Sequence, residues 1–309
     1  MKLGRTLGSI ALGLGGIIAA NRTLRQRPDD LEPPLSGEQQ RFRWRGIDVA
    51  YTEAGDPDNR DLVLLHGINA AGSSGEFRAI FDDLAEAYHV IAPDAPGYGR
   101  SDRPPLKYSP ALYEDFIADF LATFDEPAVI ASSLTGSYAA VAARETPVSS
   151  LLLVCPTTTG GPEPPKGWLF SALRSPVLGE ALFNLVVSKP AIRYFNADHG
   201  YYSDAYPERE WETYEWQTTH QPNARFAPAS FIAGYLNTDV DLGATLRSLD
   251  VPVTLVWGRE STVTPLSDGR DLAEAADATL VVFDDTMLLP HVEFAAQFVD
   301  VTREHIDAV

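Results

Sequence analysis

The chain has 309 residues, enough for one large α/β domain with an insertion, and its 45% hydrophobic content allows a sizeable core and excludes a disordered chain. Asp and Glu number 43 against 24 Lys and Arg; the net charge of −19 repels nucleic acid and anionic lipid heads, so DNA and RNA are not expected as partners. Lysine occurs only at Lys2, Lys107, Lys166 and Lys189, and such an acid-rich, lysine-poor chain predicts a halophilic organism, where dense counter-ions screen self-repulsion.

Lys2 and Arg5 precede an uncharged run from Thr6 to Ala20, and Arg22, Arg25 and Arg27 follow it. The run is shorter than the roughly 20 residues a spanning helix needs. Leu3, Leu7, Ile10, Leu14, Ile17 and Leu24 fall mostly at three- and four-residue steps, which would put aliphatic side chains on one helical face. Three readings compete: an interfacial or anchoring helix, a secretory signal, and a helix docked on the protein's own body. Ile18 disfavours cleavage after Ala20, where a small residue is wanted. Basic flanks and the apolar stripe favour the first reading, with residues 1–27 associating with a membrane from the cytoplasmic side.

A Pro-rich linker, residues 28–39, separates this segment from the domain. Arg41–Arg45 and Ile47–Glu53 alternate as a hairpin around Gly46. From Leu62 the pattern becomes strand, loop, helix. Leu62–Leu65, Val90–Ala92, Val129–Ala131 and Leu151–Val154 read as buried parallel strands, with Arg78–Tyr88 and Pro110–Phe124 as helices. The strand rhythm stops between residues 160 and 241. There Leu169–Leu173, Glu180–Val187 and Glu210–Thr219 are helical, and the segment is rich in aromatic residues, most of which are expected to form its own core. Val253–Val256 and Thr279–Phe283 restore the sheet, with Leu266–Ala276 and Val292–Thr302 as the last helices. Cys155 is the only cysteine, so no internal disulfide can form, and the six histidines show no metal spacing. No phosphate loop is present, and no metal or cofactor is expected.

Ala131-Ser132-Ser133-Leu134-Thr135-Gly136 joins a β-branched run to an Ala-rich one. A strand that turns at once into a helix needs small neighbours. The serine at its apex, Ser133, is then pushed out beside the free N–H groups of a helix N-terminus. With His66-Gly67 after a strand, the stretch Pro93-Asp94-Ala-Pro96-Gly97-Tyr-Gly99-Arg100-Ser101-Asp102-Arg-Pro104, and Trp257-Gly258 ending a late strand, the chain resembles the α/β-hydrolases from about Arg41 to its C-terminus. In the family's elbow, Gly-x-Ser-x-Gly-Gly, Ala131 and Thr135 stand at the first two glycines.

The resemblance implies a mostly parallel eight-strand sheet with flanking helices and a helical cap. It divides the chain into a first core part (40–159), a cap (160–241) and a second core part (242–309). It also implies Ser133 as nucleophile and the backbone N–H groups of Ile68 and Leu134 as oxyanion donors. The family's acid position holds Ser261, and its histidine position holds Leu288, because Pro290, His291 and Glu293 align with the residues that follow it. A leucine cannot accept a proton. Loss of the base in a serine hydrolase costs about a million-fold in turnover and leaves about a thousand-fold over water. His291 is the substitute base the sequence offers, with Glu260 or Asp285 as acid; His66 is expected to brace its loop. His199 and His220 are remote candidates, and His89 and His305 read as surface residues. Two functions follow: an ester, lactone or thioester hydrolase of impaired turnover, or a non-catalytic homologue binding a protein partner or a small apolar or aromatic ligand under the cap.

Overall fold

Eight strands make one sheet: β1 (Glu38–Trp44), β2 (Ile47–Ala54), β3 (Asp61–Leu65), β4 (His89–Pro93), β5 (Ala128–Ser132), β6 (Ser150–Val154), β7 (Val253–Gly258) and β8 (Thr279–Phe283). The computed structural model describes residues 15–25 and 31–307, so residues 6–14 of the apolar run and Pro28–Asp30 of the linker lie outside the described residues. The strand order is β1-β2-β4-β3-β5-β6-β7-β8. The pairs β1–β2 and β2–β4 are antiparallel and all others parallel, so the sheet is mixed but mostly parallel.

The apolar runs are continuous because both faces of the sheet are covered. Successive side chains on a strand point to opposite faces. Val63, Leu65, Val129, Ala131, Leu151 and Leu153 therefore pack into one layer with Tyr113, Phe116 and Phe120 of α3 (Pro110–Leu121) and Tyr138 of α4 (Leu134–Ala142). Leu62, Leu64, Ala128, Ile130, Leu152 and Val154 face the other layer, with Phe81 and Leu84 of α2 (Phe81–Ala85) and Phe298 and Val299 of α13 (Ala295–Asp307). Helix α3 starts where Ser109 accepts the Leu112 N–H at 3.3 Å and Pro110 presets the first turn.

The expected helix from 78 to 88 is largely replaced by a 3-10 turn, Ser74–Phe77, and the five-residue α2. The final helix is broken into α12 (Pro290–Glu293) and α13 at Phe294, whose backbone leaves the helical region and whose ring lies against Phe283.

Between β6 and β7 lie α5 (Gly167–Arg174), α6 (Leu178–Val186), α7 (Lys189–Phe195), α8 (Arg209–Thr219) and α9 (Phe226–Ile232), followed by α10 (Leu242–Arg247); α11 (Leu266–Ala276) joins β7 to β8. The sequence pattern missed α7, α9 and α10. Most aromatics of this insertion are buried or half-buried, with Phe183 in the insertion's own core and Phe170 packed against it. Phe183 and Tyr201 are buried, whereas Trp168, Tyr194, Phe195 and Tyr202 are largely exposed. Ahead of β1, residues 15–24 form a helix, α1. It lies on α6: the Asn21 amide donates to the Val177 carbonyl (2.9 Å), Asn184 donates to Asn21 (3.2 Å), and Arg25 forks onto Glu180 (2.6 and 2.7 Å). Among the described residues no helix is long and apolar enough to cross a membrane.

Candidate active site

The parallel strands β3 to β8 all end on one edge of the sheet, where their loops converge. Ser133 follows β5 directly and is the N-cap of α4, with φ 56° and ψ −133°. That conformation is rare for a residue with a side chain and costs on the order of 1–3 kcal/mol, so the surroundings must hold it. They do so through the backbone. The Ser133 N–H donates to the Val154 carbonyl (2.9 Å), and the Ser133 carbonyl accepts from Gly136 (3.0 Å) and Thr157 (3.3 Å). Thr135 donates its hydroxyl to the His66 carbonyl (2.7 Å), tying the first turn of α4 to the loop after β3.

That loop passes close to the turn: a Cβ added to Gly67 would sit 3.4 Å from Ser133 Cβ and 3.3 Å from Ser132 Oγ. The N–H groups of Ile68 and Leu134 donate no hydrogen bond to any other described group. His66 is fully used as a brace. Its Nδ1–H donates to the Gly67 carbonyl (2.9 Å), and its Nε2 accepts the Ala95 N–H (3.0 Å), which fixes a neutral tautomer. The Pro93–Pro104 stretch is structural too. Buried Asp94 accepts the N–H groups of Ser74 (2.7 Å) and Arg100 (2.8 Å), and a Cβ at Gly99, where φ is +48°, would lie 2.1 Å from its Cγ.

The loops after β7 and β8 are arranged differently. The Ser261 hydroxyl is buried against that of Thr264 (3.0 Å). Glu260 accepts the Thr286 N–H (3.1 Å), and Asp285 is exposed at φ 54°. Leu288 packs on the core layer shared with Phe298. Glu293 accepts the N–H groups of Tyr202 and Ser203 and the Thr286 hydroxyl (2.7 Å), fastening the insertion to this loop.

His291 is completely buried between Phe77 and Phe298, and neither ring nitrogen makes a hydrogen bond. Its Nε2 lies 3.4 Å from Glu76 Oε1. The acids near it in sequence face elsewhere; the carboxylate that meets it comes from the 3-10 turn. Glu76 Oε2 accepts the Gly67 N–H (2.9 Å), and the Ser132 hydroxyl sits beside it. Burial alone would raise the Glu76 pKa, but His291 and the Ser132 hydroxyl hold it below the ordinary carboxylate range.

No hydrogen bond joins Ser133 to an imidazole among the described residues. His220 bonds the Trp216 carbonyl (2.7 Å), His199 meets Asp198 (3.3 Å), and His89 meets Asp61 (2.7 Å). His305 is not a surface residue: it is buried against Thr254 (2.9 Å), and burial pushes its pKa down to about 4. Cys155, at the end of β6, is buried and its thiol pKa is pushed up to about 12. Among the described residues no cluster of three or more His, Cys, Asp or Glu could hold a metal.

Residues 62–301 match the Alpha/beta hydrolase family, most of the chain and every strand from β3 to β8. The chain belongs to that family. This alpha/beta hydrolase is 27% identical over 262 residues to an uncharacterized protein of Mycobacterium bovis, covering 80% of this chain and 75% of that one. It is 26% identical over 253 residues to the pimeloyl-[acyl-carrier protein] methyl ester esterase of Aliivibrio salmonicida, covering 78% and 90%. Among solved structures, a serine hydrolase involved in carbazole degradation superposes with a TM-score of 0.70 at 16% identity, over 89% of this chain and 100% of the other. That likeness carries the fold alone.

Proposed function

We propose that this alpha/beta hydrolase keeps the backbone-built half of a serine-hydrolase site without an effective proton acceptor, and that it binds a small apolar or aromatic ligand instead of turning over esters at an enzymic rate. The observation that carries this reading is that no imidazole bonds the Ser133 hydroxyl. Serine at neutral pH attacks only when a base removes its proton. Leu288 and Ser261 stand where the family resemblance puts the histidine and the acid, and neither can supply that base or stabilise its cation. The aromatic-rich insertion, joined to the strand-end loops through Glu293 and through Arg78 stacked on Trp211 (4.1 Å), supports an apolar ligand class.

One observation favours a second reading, a slow ester or lactone hydrolase. His291 has no hydrogen bond on either nitrogen, and its carboxylate partner Glu76 lies beside Ser132, next to the nucleophile. A rotation that brought this ring to Ser133 would rebuild a serine–histidine–glutamate chain from different positions.

Hydrolysis of p-nitrophenyl butyrate in molar KCl separates the two. The expected outcome is wild-type turnover within a few-fold of Ser133→Ala, both near background. Strong turnover lost in both Ser133→Ala and His291→Ala would replace the first reading by the second.

A further inference from the structure

The outer face of α6 carries Leu178, Leu182, Leu185 and Val186, spaced one helical turn apart and exposed; Leu185 is 70% accessible. The other two faces of this helix are already occupied. Gly179, Phe183 and Val187 turn inward, with Phe183 and Val187 packed among Leu173, Ala224 and Ala229. Val177, Glu180 and Asn184 hold α1. Helices α5 and α7, which contact α6, add exposed Trp168, Tyr194 and Phe195, and α1 adds Ile18. A monomer rarely leaves so many large apolar side chains together in water.

Charge identifies what covers them. Residues 1–27 contain five basic and no acidic residues, and residues 164–197 contain four basic residues against one acid, Glu180. The chain as a whole carries −19, whereas the elements around this face are locally basic: Arg22 lies on α1, Lys166 and Arg174 at the two ends of α5, and Lys189 and Arg193 on α7, while α6 itself carries only Glu180, which Arg25 pairs. We infer that the outer face of α6, with α1 beside it, is a docking surface for a lipid bilayer: leucine side chains enter the acyl boundary, and Arg22, Lys166 and Lys189, which no acid pairs among the described residues, meet lipid phosphates. The acidic remainder of the molecule is repelled by an anionic leaflet, which orients the insertion toward the membrane.

Cosedimentation of the full chain with phosphatidylcholine vesicles containing about 30% phosphatidylglycerol tests this. The wild type is expected to pellet with the vesicles. The double variant Leu182→Asp, Leu185→Asp, altered at two water-facing positions, is expected to bind at least about tenfold more weakly with an unchanged melting temperature. Val263→Asp, an exposed apolar position in the loop after β7, should bind as the wild type does. Equal binding by the double variant, an equal loss in Val263→Asp, or no binding by the wild type would overturn the proposal. So would a lipid-free dimer that the double substitution converts to monomer, since the face would then bind a second copy.

Discussion

The turn at Ser133 and the loop from Asp284 to Glu293 lie along the same edge of the sheet, but different parts of the chain build them. At Ser133 the important groups are main-chain ones: a strained φ, N–H groups at a helix start, and carbonyl bonds to Val154, Gly136 and Thr157. Ala131 and Thr135 in place of glycines leave that geometry standing, and Thr135 adds a bond to His66. In the later loop the chemistry would have to come from side chains, so one substitution would remove it. Leu288 adds its surface to the core layer and offers no acceptor, while the histidine three residues on pairs with a carboxylate from another loop. On the proposed reading, the site would keep its shape and its anion-binding donors while lacking the group that moves the proton.

The largest expected effect comes from giving the side-chain half back. Leu288→His is predicted to raise p-nitrophenyl ester turnover by roughly a hundred-fold or more, the usual contribution of a positioned general base. Addition of Ser261→Asp should increase it further; no gain in the double variant would mean that position 288 does not face Ser133. Next is the buried pair. Glu76→Gln removes the charge facing His291 and should destabilise the fold by about 3 kcal/mol, read from urea unfolding in molar KCl. Because the Glu76 pKa lies below its unfolded value, its carboxylate stabilises the protein above roughly pH 4.5 and that contribution is lost as pH falls through the lowered folded value. The variant should lose this part of the acid dependence; an unchanged profile would place the pair outside the stabilising charges. The smallest effect is at the turn: Thr135→Val, which leaves the His66 carbonyl without its 2.7 Å partner, should cost about 1 kcal/mol by the same measurement.

Much of this was legible in the residues. Short β-branched and leucine runs bounded by loops mark a parallel sheet because burial on both faces leaves no polar position to interrupt them. The small residues around Ser133 mark the elbow because larger ones would not fit where the chain reverses. Glu76 was not legible. A glutamate after Ser73-Ser74-Gly75 reads as a solvated loop residue, and only packing against Phe77, Gly67 and His291 buries it. The partner of His291 was hidden for the same reason, since sequence proximity offered Asp284, Asp285 and Glu293 and none of them faces the ring. The exposed leucines of α6 follow a helical period that is equally consistent with a buried face; deciding between the two needed the packing of Phe183 and Val187 on the opposite side.

The reactivity of the Ser133 hydroxyl can be measured directly. The rate at which a fluorophosphonate labels Ser133 at neutral pH depends on how readily that hydroxyl gives up its proton. Labelling of the wild type is predicted to be as slow as that of Ser133→Ala and to become rapid in Leu288→His. Rapid, stoichiometric labelling of wild-type Ser133 would contradict the account and reveal a working base at the elbow.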